Sequence, residues 1–283
     1  MKRVLVLSAS IFLDTLLPAQ DNLQEITKPI VAEGKRLYRS EMASWYGTDV
    51  FMERYKKTEN IAGYFSYASG DSTKCIFYSK DKSPVAIGTI SFDSTFNVET
   101  ANVDISERNF TAKEFDLYSI RENALQLVSN DSFFLRYKNT GVNLIPLIEN
   151  GEKKVYYLTG SQTNGVVYFG NDYLIVYNDK NELVSKKRLH QSLIPVEYRK
   201  PTDKDENVVG GMHTHLPETG DFMTATDICT IMLYEKIAKW KQHIAVSQNY
   251  MSIWNCDTDN LVTITREAMD KIYSNDKKKK EKE

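Results

Sequence analysis

Apolar positions recur near helical spacing at Leu23, Ile26, Ile30, Val31, Leu37 and Tyr38. This predicts a first helix, kinked at Pro29 and extending toward Met42 and Trp45. From Ile61 to Val103 the period changes. The β-prone stretches Gly63 to Tyr67, Lys74 to Tyr78 and Val85 to Phe92 are punctuated by Ser69-Gly70-Asp71 and Lys82-Ser83-Pro84. Helical spacing returns from Thr111 to Asn130, with Phe115, Tyr118, Leu125 and Val128 as the expected inner face. Thr111 and Glu114 stand at capping-box spacing. Val142 to Ile148 and Lys154 to Leu158 then flank Glu149-Asn150-Gly151, a hairpin turn in which Asn-Gly supplies positive φ. Gly165 to Gly170 and Tyr173 to Tyr177 read as a strand pair around a turn at Asn171-Asp172, and residues 178–181 as a further turn. Thr202 to Asn207 is polar loop, and Val208 to His215 a strand. Thr224 opens a helix reaching about Trp240, with Ile228, Ile231, Met232 and Ile237 inward. His243 to Ser247 and Tyr250 to Trp254 are late strands, and Leu261 to Tyr273 a last strand and helix.

This order predicts an α+β chain: a small α+β domain over residues 21–110, then an α/β sandwich over 111–274, with a mixed sheet and flanking helices. The 41% apolar and 26% charged residues suit a globular protein rather than a disordered one. A net charge of −2 gives no global pull toward nucleic acid or an acidic membrane. The basic run Lys277 to Lys280 has no apolar partner, so residues 275–283 read as a solvated tail. Cys75, Cys229 and Cys256 are too far apart for a zinc-type pair, and idle buried thiols are the expectation.

Residues 1–20 carry Lys2 and Arg3, an apolar run from Val4 to Leu13, and Pro18-Ala19-Gln20 before Asp21. That layout predicts a signal peptide, export to the periplasm or beyond, and no membrane span once it is removed. The ending resembles export signals of Bacteroidetes. The alternative is a buried first strand, Arg3 to Leu7, and a cytoplasmic protein.

Candidate chemistry concentrates in Gly210 to Asp227. Alternate residues on a strand share a face, so His213 and His215 project together. Asp227, twelve residues beyond His215 in the first turn of the next helix, is within reach through the loop 216–223. Two imidazoles and a carboxylate can hold a divalent ion and leave a position open for water. The competing reading is that Thr224 and Asp227 only cap a helix. His190, behind Lys186-Lys187-Arg188, reads as a surface histidine. His243 reads as a core histidine rather than a third ligand, and Cys256 as a free thiol near the end of a late strand.

The run His213-Thr214-His215 followed by Thr224-Ala225-Thr226-Asp227 resembles the JAMM (MPN-type) metallopeptidase signature, with a loop one residue longer than usual and Thr in place of Ser. The resemblance implies zinc on His213, His215 and Asp227, Thr224 helping to orient the transition-state oxygen, and hydrolysis of an amide or isopeptide bond in a peptide or protein substrate. It also implies a general-base glutamate. Glu152 is the nearest analogue, with Glu197 and Glu218 as alternatives. The second functional expectation is a catalytically inactive JAMM-like binding or scaffold domain.

Overall fold

The computed structural model describes residues 17–198, 210–271 and 274. It is an α+β fold in which one long helix runs beside several sheets, one of them mixed. The helix α1 (Leu17–Arg54) is 38 residues long and passes through Pro29. At 1.5 Å per residue it spans roughly 57 Å. Leu37, Ala43 and Phe51 are fully buried on it, whereas Ile26 and Trp45 stay exposed. It packs against the meander β1 (Ile61–Ser69), β2 (Ser72–Ser79), β3 (Ala86–Phe92) and β4 (Asn102–Asp104), and also against α3 and β14, defined below. Leu17 to Gln20 form its first turn. The expected signal segment otherwise lies outside the described residues, as do the loop 202–207 and the tail 275–283.

The helix α2 (Ala112–Asn130) starts at the expected capping box of Thr111 and Glu114. Its buried stripe is Glu114, Leu117, Ile120, Ala124 and Val128. Phe115 and Leu125, expected inward, are 56% and 38% exposed. A stripe at steps of three and four keeps one face, and those two residues fall beside it. β5 (Thr140–Glu149) and β6 (Glu152–Ser161) form the expected hairpin, with Asn150 and Gly151 at φ of 50° and 80°. Positive φ at both central residues matches the twist of the flanking strands. β8 (Tyr173–Tyr177) and β9 (Leu183–Arg188) complete this antiparallel sheet in the order β5-β6-β8-β9.

The expected pairing around Asn171-Asp172 does not form. β7 (Val166–Gly170) pairs with β10 (Leu193–Glu197), while β8 pairs with β6 and β9. Asn171 and Asp172 are buried where the chain passes from one sheet to the other. The Asn171 amide donates to the Leu135 carbonyl and to Thr159 Oγ1, and its oxygen accepts from the Tyr173 hydroxyl. A buried amide with every partner supplied specifies a crossover, not an exposed turn.

The last sheet is β11 (Gly210–Thr214), β12 (Gln242–Val246), β13 (Tyr250–Asn255) and β14 (Asn260–Thr265). β11 and β12 are parallel and the other pairs antiparallel. Parallel neighbours need a crossover, and α3 (Ala225–Ala238) supplies it. The buried residues Ile228, Ile231 and Met232 on α3 pack with Val167, Phe169, Met223 and Trp254. Ile237, expected inward, is 54% exposed in the last turn. This βαβ unit carries the histidine strand on one side and the start of α3 on the other. Among the described residues no helix is long and apolar enough to cross a membrane.

Candidate metal centre

His213 is on β11, paired with Ala245 of β12, and the His215 amide extends the ladder by donating to the Val246 carbonyl at 2.8 Å. Both side chains therefore point to the same face. The loop that follows returns to the N-terminus of α3. There the Thr224 hydroxyl accepts from the Asp227 amide, and the Asp227 carboxylate accepts from the Thr224 amide. The capping box and the ligand reading were posed as alternatives; the structure accommodates both. Asp227 Oδ2 takes the Thr224 amide and hydroxyl, each at 2.8 Å. Oδ1 is buried without a hydrogen-bond partner and faces the histidines.

The structure adds a fourth member. His190, expected on the surface, is 2% exposed. It stands just beyond β9 because the Leu189 amide donates to the Asp172 carbonyl and draws the chain inward. Its Nδ1 faces Asp172 Oδ1 at 2.8 Å, and Thr226 donates its hydroxyl to the other oxygen of Asp172. The carboxylate accepts a hydrogen bond from Nδ1–H, which fixes the ring with Nε2 facing inward, where a cation can take its lone pair in place of a proton. His190, His213, His215 and Asp227 thus present one ligand atom each, all within 4.8 Å of one another.

His215 Nε2 lies 3.0 Å from His213 Nε2, 3.2 Å from His190 Nε2 and 3.1 Å from Asp227 Oδ2. Asp227 Oδ1 is 3.4 Å from both His190 Nε2 and His213 Nε2. A ring nitrogen offers one lone pair or one N–H, so hydrogen bonding cannot satisfy His215 Nε2 against three neighbours. One shared cation can. A tetrahedral ion with arms of about 2.0–2.1 Å needs ligand–ligand edges of about 3.3–3.4 Å. The two imidazole edges at His215 Nε2, 3.0 and 3.2 Å, approach that spacing, and the whole set lies within 4.8 Å. The buried set can hold a metal ion, and its three imidazoles and one carboxylate suit zinc among several divalent ions.

The electrostatics point the same way. Burial pushes the Asp227 carboxyl up, but His190 and His213 outweigh it and hold the group well below the usual carboxylate range. Burial pushes His190 down, but the Asp172 and Asp227 carboxylates outweigh it and raise it well above the usual value. The pocket therefore favours positive charge. His243, expected in the core, is fully buried there and bonds through Nε2 to His213 Nδ1 at 2.9 Å. Burial, with His213 adding to it, lowers its pKa to about 3, so it is neutral. Phe169 stacks on both rings, at 5.0 Å from His213 and 4.4 Å from His243. All four histidines of the chain meet here.

Of the two residues expected to take part in catalysis, Thr224 adjoins the centre through Asp227, and Glu152 is outside the cluster. Glu152 opens β6, its side chain 67% exposed and paired with Lys154 at 2.8 Å. The end of β6 that approaches the centre is at Thr159, bonded to Asn171. Seven residues of strand separate the two positions, roughly 23 Å. Glu197 and Glu218 are exposed. Cys256 is half-buried and outside the cluster. The Thr224 hydroxyl is engaged with Asp227 and Thr226. Among the described residues no glutamate belongs to the cluster.

No protein-family model matches the chain, and the searches of curated proteins and of solved structures also gave no match.

Proposed function

We propose that the chain is a metal-binding protein whose C-terminal part, JAMM-like in its motif order, holds one zinc ion in a closed four-ligand centre of structural rather than hydrolytic purpose. The observation that carries this reading is His190, whose Nε2 completes the corner that a hydrolytic site leaves to water. Catalytic zinc sites keep three protein ligands and one open position, whereas structural sites are closed. The ligand side chains are also sealed, at 3%, 0%, 1% and 1% exposure for His190, His213, His215 and Asp227. An ion there ties the exit of β9, the end of β11 and the start of α3 into one unit.

The order of His213, His215, Thr224 and Asp227 favours a second reading, a zinc-dependent peptide or isopeptide hydrolase. It requires His190 to yield its corner to water and a base to approach, and general-base assistance is typically worth about 10²–10⁴-fold. The test is metal content after purification without a metal-affinity tag, together with assays on peptide and isopeptide substrates. The expected result is about one zinc per chain, lost in His213→Ala, and no turnover. Absence of zinc overturns the metal reading. Turnover that depends on zinc overturns the structural one.

A further inference from the structure

A second feature is independent of the metal centre. A cavity of about 320 Å³ lies between α1, β1, the β5–β6 hairpin and α3. That is within the size range of small-ligand sites, about 300–1,000 Å³. Its walls are mostly apolar and include the rings of Trp45, Tyr64 and Tyr234. Two carboxylates, Glu41 and Asp49, line it, and no Lys, Arg or His does.

Glu41 is the polar focus. Asn143, also on the wall, places its amide nitrogen 2.7 Å from both carboxylate oxygens. Lone pairs on each oxygen remain for a ligand. Trp45 stands 49% exposed on α1, an unusual place for a large ring with no partner among the described aromatic pairs. Aromatic faces and a carboxylate around one space are the recognition chemistry of ammonium groups, which rings attract through their quadrupole. Burial raises the Glu41 carboxyl to about 7 against the opposing effects of the Asn143 amide and of Arg121, so a bound cation would draw it to its charged form, whereas an anion would meet like charge.

We infer that this cavity binds a small organic ammonium cation, its charged head against Glu41 and its alkyl groups against Trp45, Tyr64 and Tyr234. Asn143 holds the carboxylate in place, and Asp49 adds long-range attraction. The back wall belongs to α3 through Thr230 and Tyr234, while the metal ligand Asp227 opens the same helix. The inference needs no metal, and it stands or falls separately from the centre.

The full-length protein is titrated with choline, with n-butylammonium and with 3,3-dimethyl-1-butanol, the uncharged carbon analogue of choline. Binding is read by tryptophan fluorescence and by calorimetry. The expected result is saturable binding of the two cations and at least about tenfold weaker binding of the alcohol. Glu41→Gln, which keeps the shape of the side chain, is expected to weaken choline by at least about tenfold. Trp45→Ala, a change at an exposed position, is expected to weaken binding and abolish the fluorescence change, so the test survives if Glu41→Gln fails to fold. No saturable binding at millimolar cation, equal binding of choline and its neutral analogue, or choline affinity unchanged in a folded variant overturns the inference.

Discussion

His190→Ala is the perturbation that bears most on the metal centre. The imidazole is removed from 3.2 Å of His215 Nε2 and 3.4 Å of Asp227 Oδ1, so one corner of the ligand set is lost. Altering groups that merely orient ligands costs about 10–100-fold in metal affinity. Deleting the ligand itself is therefore expected to cost at least about 100-fold, or about 2.7 kcal/mol. A second cost falls on the metal-free protein. Asp172, its side chain 3% exposed, keeps the Thr226 hydroxyl on Oδ2 but loses its partner on Oδ1. An unsatisfied buried acceptor costs about 1–3 kcal/mol, which for a chain of this size lowers Tm by roughly 2–12 °C. Zinc affinity is measured by competition with a chromophoric chelator, and Tm by calorimetry on metal-free samples. Parent and variant with zinc affinities within threefold of each other would refute the assignment of His190 as a ligand. An unchanged Tm would refute the account of Asp172.

Three further outcomes are expected. Asp172→Asn keeps the shape but supplies no full charge to His190 Nδ1, and should weaken zinc about 10–100-fold in the same competition assay. Burial raises the Glu114 carboxyl, but Arg108, the Thr111 amide and the Tyr67 hydroxyl outweigh it and bring it from 4.5 to about 2. Its folded pKa is depressed, so its contribution is complete above 4.5 and is lost as pH falls toward 2. At up to about 3 kcal/mol, it should leave Glu114→Gln with a visibly flatter stability–pH curve in that window, read by denaturant titration. Lys239 caps α3 in the left-handed region at φ of 56° and is exposed. Lys239→Gly should stabilise the protein by about 0.5–1 kcal/mol in urea melts, because glycine carries no Cβ strain there.

The parts of the centre written in local spacing were legible in the chain. His213 and His215 alternate on one strand, and the Thr224–Asp227 box places the carboxylate at a helix start. His190 was not legible, because its position depends on pairing between distant segments. Lys186-Lys187-Arg188 before it does lie on a partly exposed strand, but Asp172 then pulls the next two residues inside. Asp172 was misread for the same reason: Asn-Asp after glycine has turn chemistry, and only the buried partners of Asn171 make it a sheet crossover. One signal was available: a chain with only four histidines places two of them in one HxH. The hairpin at Asn150-Gly151 and both capping boxes were readable because each is specified within a few residues. The inner faces of α2 and α3 were readable only in part, since tertiary packing selects which apolar residues of a helix are covered.

The central claim is that four protein side chains saturate one divalent ion. X-ray absorption at the zinc edge of the loaded protein tests it most directly. Four nitrogen or oxygen neighbours at about 2.0–2.1 Å, three of them with imidazole outer-shell scattering, are expected. Two imidazoles with an exchangeable solvent oxygen in the fourth place, or zinc bound elsewhere, would contradict it.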